Sequence, residues 1–152
     1  MRRIQVECIA FRKKSGVYEF LLLKRIPKKG GFWQPPGGGF EEGDATILDA
    51  AYRELWEETG ITKEKVMRII KDVHKFEVKK HYLTGATIPT ITEHVYGFEV
   101  RKDIRISIDS DTEKEHVTFR WATLEQALNL LKWENNKTAF KKLYDILNAE
   151  TS

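Results

Sequence analysis

GGGFEEGDATILDAAYRELWEETGI, running from Gly37 to Ile61, joins a glycine-rich loop to a segment of helical periodicity. Ile47, Leu48, Ala51, Leu55 and Thr59 recur at steps of three and four, which places them on one stripe of a helix. Glu54, Glu57 and Glu58 stand at i, i+3 and i+4, so at about 100° per residue they form one acidic face beside that stripe. Thr46 followed by Asp49 has the spacing of a capping box, with Asp where Glu or Gln is usual, and Asp44 adds negative charge near the N-terminal end. Gly60 suits the left-handed position that ends a helix. Like charges at such spacing cost an isolated helix about 0.2–0.5 kcal/mol per pair. Compensation is therefore expected from outside the helix, and a hard divalent cation held by carboxylate oxygens turns the repulsion into attraction.

Working outward, Arg3 to Arg12 alternates, with Ile4, Val6, Cys8 and Ala10 against Arg3, Gln5 and Glu7, and reads as a half-buried strand. Lys13 to Gly16 make a turn, and Val17 to Arg25 (VYEFLLLKR) reads as a central strand paired with the first in a hairpin. Ile26 to Gly31 is a loop. Its cations Lys28 and Lys29, with Arg25 before them, have two readings, a solvated turn or a lip that contacts phosphate. In Phe32-Trp33-Gln34-Pro35-Pro36, Trp33 is either a platform for a base or a core aromatic at the end of a strand. Downstream, Thr62 to Thr84 reads as one long or two consecutive strands, Thr84 to Thr90 as a turn, and Glu93 to Arg101 and His116 to Trp121 as strands. Lys102 to Glu115 reads as a polar surface loop, while His81 and His94 are isolated and read as ordinary strand residues. Thr123 to Leu131 and Asn135 to Leu147 have helical spacing, with Leu124, Ala127, Leu128 and Leu131, then Phe140, Leu143, Tyr144 and Leu147, turned to the core.

A chain of 152 residues suffices for one sizeable core, so a single domain over residues 1–152 is expected. Hydrophobic content of 41% with 32% charged residues excludes disordered and membrane classes. No apolar run approaches the ~18 residues that span a bilayer. The opening MRRIQVECIAF lacks the apolar stretch and cleavage site of a signal peptide, so a cytoplasmic location is expected. The single cysteine, Cys8, excludes an internal disulfide framework and reads as a buried, inert thiol. The formal net charge is only +3, with a pI near 8.9 and cations spread along the chain, which fits a phosphate-bearing ligand without pointing to nucleic acid.

Gly38 to Ile61 resembles the Nudix box of the Nudix hydrolases, written G-x5-E-x7-R-E-U-x-E-E-x-G-U with U aliphatic. Arg53-Glu54-Leu55-Trp56-Glu57-Glu58-Thr59-Gly60-Ile61 matches every specified position of its second half. The first half departs: with Gly38 as the motif glycine, Asp44 takes the place of the first Glu and one residue is inserted before Arg53. The resemblance implies an α/β fold, the Nudix-type α/β/α sandwich with a mixed curved sheet, and water attack on phosphorus in a nucleoside diphosphate linked to another group. It implies that Glu54, Glu57 and Glu58 hold Mg2+ or Mn2+, joined by a carbonyl of the glycine loop at Gly38. Arg53 would point off the ligand face and orient a glutamate or Asp44. Glu115, just before a strand that ends in Trp121, matches the place of an extra metal ligand or general base, with Glu113 as runner-up. A Trp-Gln segment also occurs in Nudix subfamilies that cut RNA 5′ ends or pterin and nucleoside triphosphates, which adds Trp33 and Gln34 to Arg25, Lys28 and Lys29 as substrate-binding candidates.

The tail EHVTFRWATLEQALNLLKWENNKTAFKKLYDIL is similar to that of dATP and dihydroneopterin triphosphate pyrophosphohydrolases. Three functions stand: hydrolysis of a nucleoside or pterin triphosphate, releasing pyrophosphate and a monophosphate; hydrolysis of an RNA 5′ end or a dinucleoside polyphosphate; and a Nudix-fold binding module without turnover. The expected partner is a small nucleotide or related diphosphate, with no membrane and no nucleic acid beyond an RNA 5′ end. The oligomeric state stays open, a homodimer included.

Overall fold

The sheet grows from β1 (Arg3–Lys14), which turns at Ser15 and Gly16 into β2 (Val17–Arg25). Both turn residues are left-handed, at φ 52° and 80°, the backbone a tight two-residue hairpin demands. The strand therefore continues to Lys14, past the expected end at Arg12. The hairpin pairs only at its tip, from Phe11 with Phe20 to Lys14 with Val17. Beyond the tip, β1 is bordered by the glycine strand β4 (Gly37–Gly39), whereas β2 turns to β3 (Trp33–Gln34) and β7 (His116–Ala122). The other edge of β1 runs parallel to β6 (Thr87–Glu99), and β5 (Arg68–Lys80) completes the seven-stranded mixed sheet. The computed structural model describes residues 3–109 and 114–150. Glu113 and the acidic residue Asp111 lie outside them.

Helices cover both faces. Val6, Cys8, Ala10, Leu21 and Leu23 pack under α1 (Ile47–Thr59), and Ile9, Phe11, Phe20 and Leu22 pack under α2 (Leu124–Leu130) and α3 (Glu134–Ala149). The mixed α/β sandwich is as expected. The half-buried reading of β1 is corrected, because Val6 to Phe11 are buried without interruption between two helical layers. Its polar member Glu7 is 7% exposed and accepts a hydrogen bond from Asn136 Nδ2 at 2.5 Å. Burial, then the neighbouring charge of Glu93, pushes the Glu7 carboxyl well up. Cys8 is buried as expected, with its thiol toward the Ala51 carbonyl at 3.3 Å.

Three boundaries differ from the sequence reading. The stretch from Thr62 to Thr84 holds one strand, one of the two expected forms, but β5 begins only at Arg68 and is broken by irregular pairing between Ile70 and His74, where Asp72 is left-handed at φ 56°. The expected turn from Thr84 to Thr90 is shorter, since β6 already begins at Thr87. Pro89 is tolerated there because described pairing with β1 starts only at Ile91, leaving an edge at the proline. The polar loop after Lys102 is not wholly at the surface: Ile104, Ile106 and Ile108 pack on the α1-side core. Ser107 N–H donates to Thr59 O at 2.8 Å and ties that loop to the end of α1.

α3 seals its face through Phe140, Leu143 and Leu147, all fully buried. A Cβ on Gly97 of β6 would meet Leu143 Cδ1 at 2.9 Å, so helix and sheet are in close contact there. Leu143→Ala leaves a cavity in this layer and is expected to lower stability by about 2–5 kcal/mol in urea unfolding. A loss below about 1 kcal/mol would contradict the packing.

Candidate active site

The acidic helix forms for the reasons its sequence suggests. Thr46 Oγ1 accepts the Asp49 N–H at 3.1 Å, Ala51 and Leu55 are fully buried, and Gly60 ends the helix at φ 75°. The compensation expected from outside the helix comes in part from within it. Arg53 stands one turn before Glu57, and its Nη1 lies 2.8 Å from Glu54 Oε1 and 3.4 Å from Glu57 Oε2. The same guanidinium meets Asp44 through Nε at 3.0 Å and Nη2 at 2.9 Å, reaches Glu41 at 3.1 Å, and donates to the Gly39 carbonyl at 2.7 Å. The idea that Arg53 points off the carboxylate face is thus corrected, while its contacts with Asp44 and a glutamate are present.

These contacts set the local charge. Hydrogen bonding from Arg53 holds the Asp44 carboxyl below its ordinary range. Burial, opposed by Arg53, pushes Glu54 up to about 7. The Glu54 carboxylate lies close against Gly38, so a side chain at that position would displace the Glu54 carboxylate. Glu57 is more open, with its side chain 39% exposed.

Glu58 is buried against the same glycine strand. Its Oε1 accepts the Gly37 N–H at 2.6 Å, and its Oε2 lies 3.4 Å from His116 Nδ1. His116 Nε2 is 2.9 Å from Gln34 Nε2. Glu58, Glu115 and His116 each offer a ligand atom within 4.8 Å of the others. Glu115 also accepts from Lys29 Nζ at 3.1 Å. Burial would raise the Glu115 pKa, but Lys29, then Arg25 and His116, outweigh it and hold the carboxyl below its ordinary range. A donor set of carboxylate oxygens fits a hard divalent cation.

The proposed substrate contacts divide. Arg25 and Lys29 join the site: Arg25 Nε donates to the Lys29 carbonyl at 3.0 Å, and its guanidinium lies over the rings of Phe32 at 5.5 Å and Tyr82 at 5.0 Å. Lys28 is exposed on the same turn. Trp33 packs against the α3-side core and bridges to Leu131, whereas Gln34, its neighbour on a strand, faces the other way toward His116. Sequence reasoning missed His116 as a site residue, although it follows Glu115 directly, and missed Phe32 and Tyr82. Phe32 meets both Tyr82 and Trp133 edge to face at 5.9 Å, with Lys132 Nζ over the Trp133 ring at 4.8 Å. His81 caps its turn by accepting the Leu83 N–H at 3.2 Å.

An acidic helix clamped to a glycine strand at one end of a mixed α/β/α sandwich defines a Nudix-type domain. The NUDIX domain family matches residues 1–144, and the chain belongs to that family. The dihydroneopterin triphosphate diphosphatase of Haemophilus influenzae is 33% identical over 116 residues, covering 73% of this chain and 70% of that protein. The RNA pyrophosphohydrolase of Pelagibacter ubique is 28% identical over 149 residues, covering 94% and 92%. Among solved structures, a Caenorhabditis elegans Ap4A hydrolase superposes with a TM-score of 0.79 at 23% identity, covering 97% of this chain and 98% of that one. These relatives are named as pyrophosphate-bond hydrolases. The chain also spans 36% of a Myxococcus xanthus protein named octanoyltransferase, at 30% identity. No helix among the described residues is long and apolar enough to cross a membrane.

The raised Glu54 pKa gives a pH signature. A carboxyl whose folded pKa lies above its unfolded value of about 4.3 weakens the fold as pH rises through that window, because the folded state holds its proton longer. The metal-free protein should therefore lose stability between about pH 4.3 and the folded value of about 7, and Glu54→Gln should flatten that part of the profile in thermal unfolding. An unchanged slope in the variant would remove Glu54 as its source.

Proposed function

We propose that this Nudix protein is a divalent-cation-dependent pyrophosphohydrolase acting on a nucleoside or pterin triphosphate, or a related nucleoside diphosphate carrying a second group, with Mg2+ as cation and Mn2+ as substitute. The observation that carries this reading is the pinning of Glu54 and Glu58 against consecutive residues of one glycine strand, Gly38 and Gly37. Glu115 offers an oxygen within 4.8 Å of one of Glu58, and Glu57 shares the helix face with both pinned glutamates, which suits a cation and the phosphates it accompanies. A bound divalent cation supplies charge neutralisation on the phosphates and acidifies water. The chain's own residues do the rest. Arg53 holds the loop acids and Glu54 in one geometry, Arg25 and Lys29 offer positive charge at the mouth, and Glu115, ionised near neutrality, is placed to take the proton of the attacking water. Attack forms a phosphorus–oxygen bond and breaks the anhydride, leaving a monophosphate and pyrophosphate when the substrate is a triphosphate.

The aromatic group of half-buried Phe32 and Tyr82 with exposed Trp133, and with Lys132 and Arg25 over its rings, favours a second reading. Rings flanked by cations suit an additional base, as a dinucleoside polyphosphate or an RNA 5′ end would present.

Pyrophosphate and orthophosphate release should be measured on dNTPs, NTPs, dihydroneopterin triphosphate, dinucleoside polyphosphates and triphosphorylated RNA, with and without Mg2+. The expected result is Mg2+-dependent release from one of the triphosphate classes, with Glu54→Gln and Glu58→Gln each lowering kcat by about 100-fold or more, the equivalent of ~3 kcal/mol. Turnover of dinucleoside polyphosphates or RNA alone selects the second reading. No turnover of any member would leave a binding module and contradict the enzymatic reading.

A further inference from the structure

The Gln34 side chain sits between the Arg25 guanidinium and one buried imidazole, that of His116. Arg25 Nη1 approaches Gln34 Oε1 at 3.3 Å, and the same guanidinium meets Tyr82 Oη at 3.3 Å and the Lys29 carbonyl at 3.0 Å. Arginine carries only donors, so the Gln34 amide must present its oxygen to Arg25 and its NH2 to His116. The 2.9 Å contact between Gln34 Nε2 and His116 Nε2 then makes that ring nitrogen an acceptor. A neutral imidazole with Nε2 accepting carries its proton on Nδ1, which faces Glu58 Oε2 at 3.4 Å. The side chain of His116 is fully buried, so water cannot reorder this sequence of bonds. Glu58 is thereby engaged on both oxygens, by Gly37 N–H on one side and by His116 on the other.

We propose that Gln34 is a positioning residue that acts through His116: with its amide oriented by Arg25, it fixes the His116 tautomer and so orients Glu58 for cation binding. The relay runs from Tyr82 and Arg25, at the aromatic mouth, to the carboxylate against the glycine strand. It reassigns Gln34 from substrate contact to support of a ligand, and it rests on the metal-site reading above only in its last step. Outer partners of this kind set ligand orientation and tune affinity.

Two variants of the full chain test it. Gln34→Glu replaces the donor facing His116 by an acceptor, while Gln34→Leu removes both hydrogen-bonding ends at similar volume. In metal-free protein, nitrogen-15 spectra of the histidine side chains should show wild-type His116 as the Nδ1–H tautomer, Gln34→Glu inverted to Nε2–H, and Gln34→Leu a mixture. Mn2+ affinity, titrated by electron paramagnetic resonance, should fall about 10–100-fold in both variants. The proposal is overturned if wild-type His116 carries its proton on Nε2, if either variant keeps the Nδ1–H tautomer, or if the tautomer changes while Mn2+ affinity does not. Wild-type protein that binds no Mn2+ would overturn the metal site itself and the relay's last step with it, while the metal-free spectra still decide the link from Gln34 to His116.

Discussion

The site depends on one guanidinium among acids. Arg53 collects Glu41, Asp44, Glu54 and Glu57, and donates as well to the Gly39 carbonyl. An arginine suits this place because its planar fork serves Asp44 with two parallel bonds and still has donors for the helix carboxylates. It locks the glycine-rich loop to the helix by side-chain bonds where the loop itself has little regular structure. Repulsion among the glutamates is relieved enough for the helix to form, yet burial still pushes Glu54 up to about 7. The residual penalty is what a second, divalent charge would relieve.

The fold sets the other half of the geometry by letting β1 and β2 part after a short shared hairpin. Into the gap come β4 beside β1 and β3 beside β2, so the glycine strand and Gln34 approach the helix carboxylates from neighbouring strands. Alternation along β3 does the sorting: Trp33 joins the α3-side core, and Gln34 turns to His116 at the carboxylates. β7 pairs along the other edge of β2 and brings Glu115 and His116 from far along the chain. Lys29, on the loop after β2, closes over Glu115 with a salt bridge at 3.1 Å, which holds that carboxylate ionised in the absence of another cation.

What was legible in the sequence was local. The helix, its Thr46 cap, its Gly60 end and the common face of Glu54, Glu57 and Glu58 follow from spacing alone. The contact of Arg53 with Asp44 supports the register that inserts one residue ahead of the helix. The partner of Glu57 was also local, since Arg53 is its i,i+4 neighbour, but the face was read as uncompensated. What could not be read lies far apart in the chain: Gln34 and His116 are separated by 82 positions, and neither residue has a pattern that names the other. Burial on both faces of β1 likewise depends on two layers of helix that a single strand does not reveal. Ile104, Ile106 and Ile108 carried an alternating signal that the charged residues around them concealed.

On the proposed reading, the carboxylates gathered by Arg53 and the glycine strand hold a divalent cation. Anomalous diffraction from crystals grown with Mn2+ tests it most directly. A manganese peak bounded by Glu54, Glu57 and Glu58, next to the Gly38 carbonyl, is expected. Crystals whose only manganese lay elsewhere, or in which Arg53 alone satisfied the three glutamates at saturating Mn2+, would contradict it.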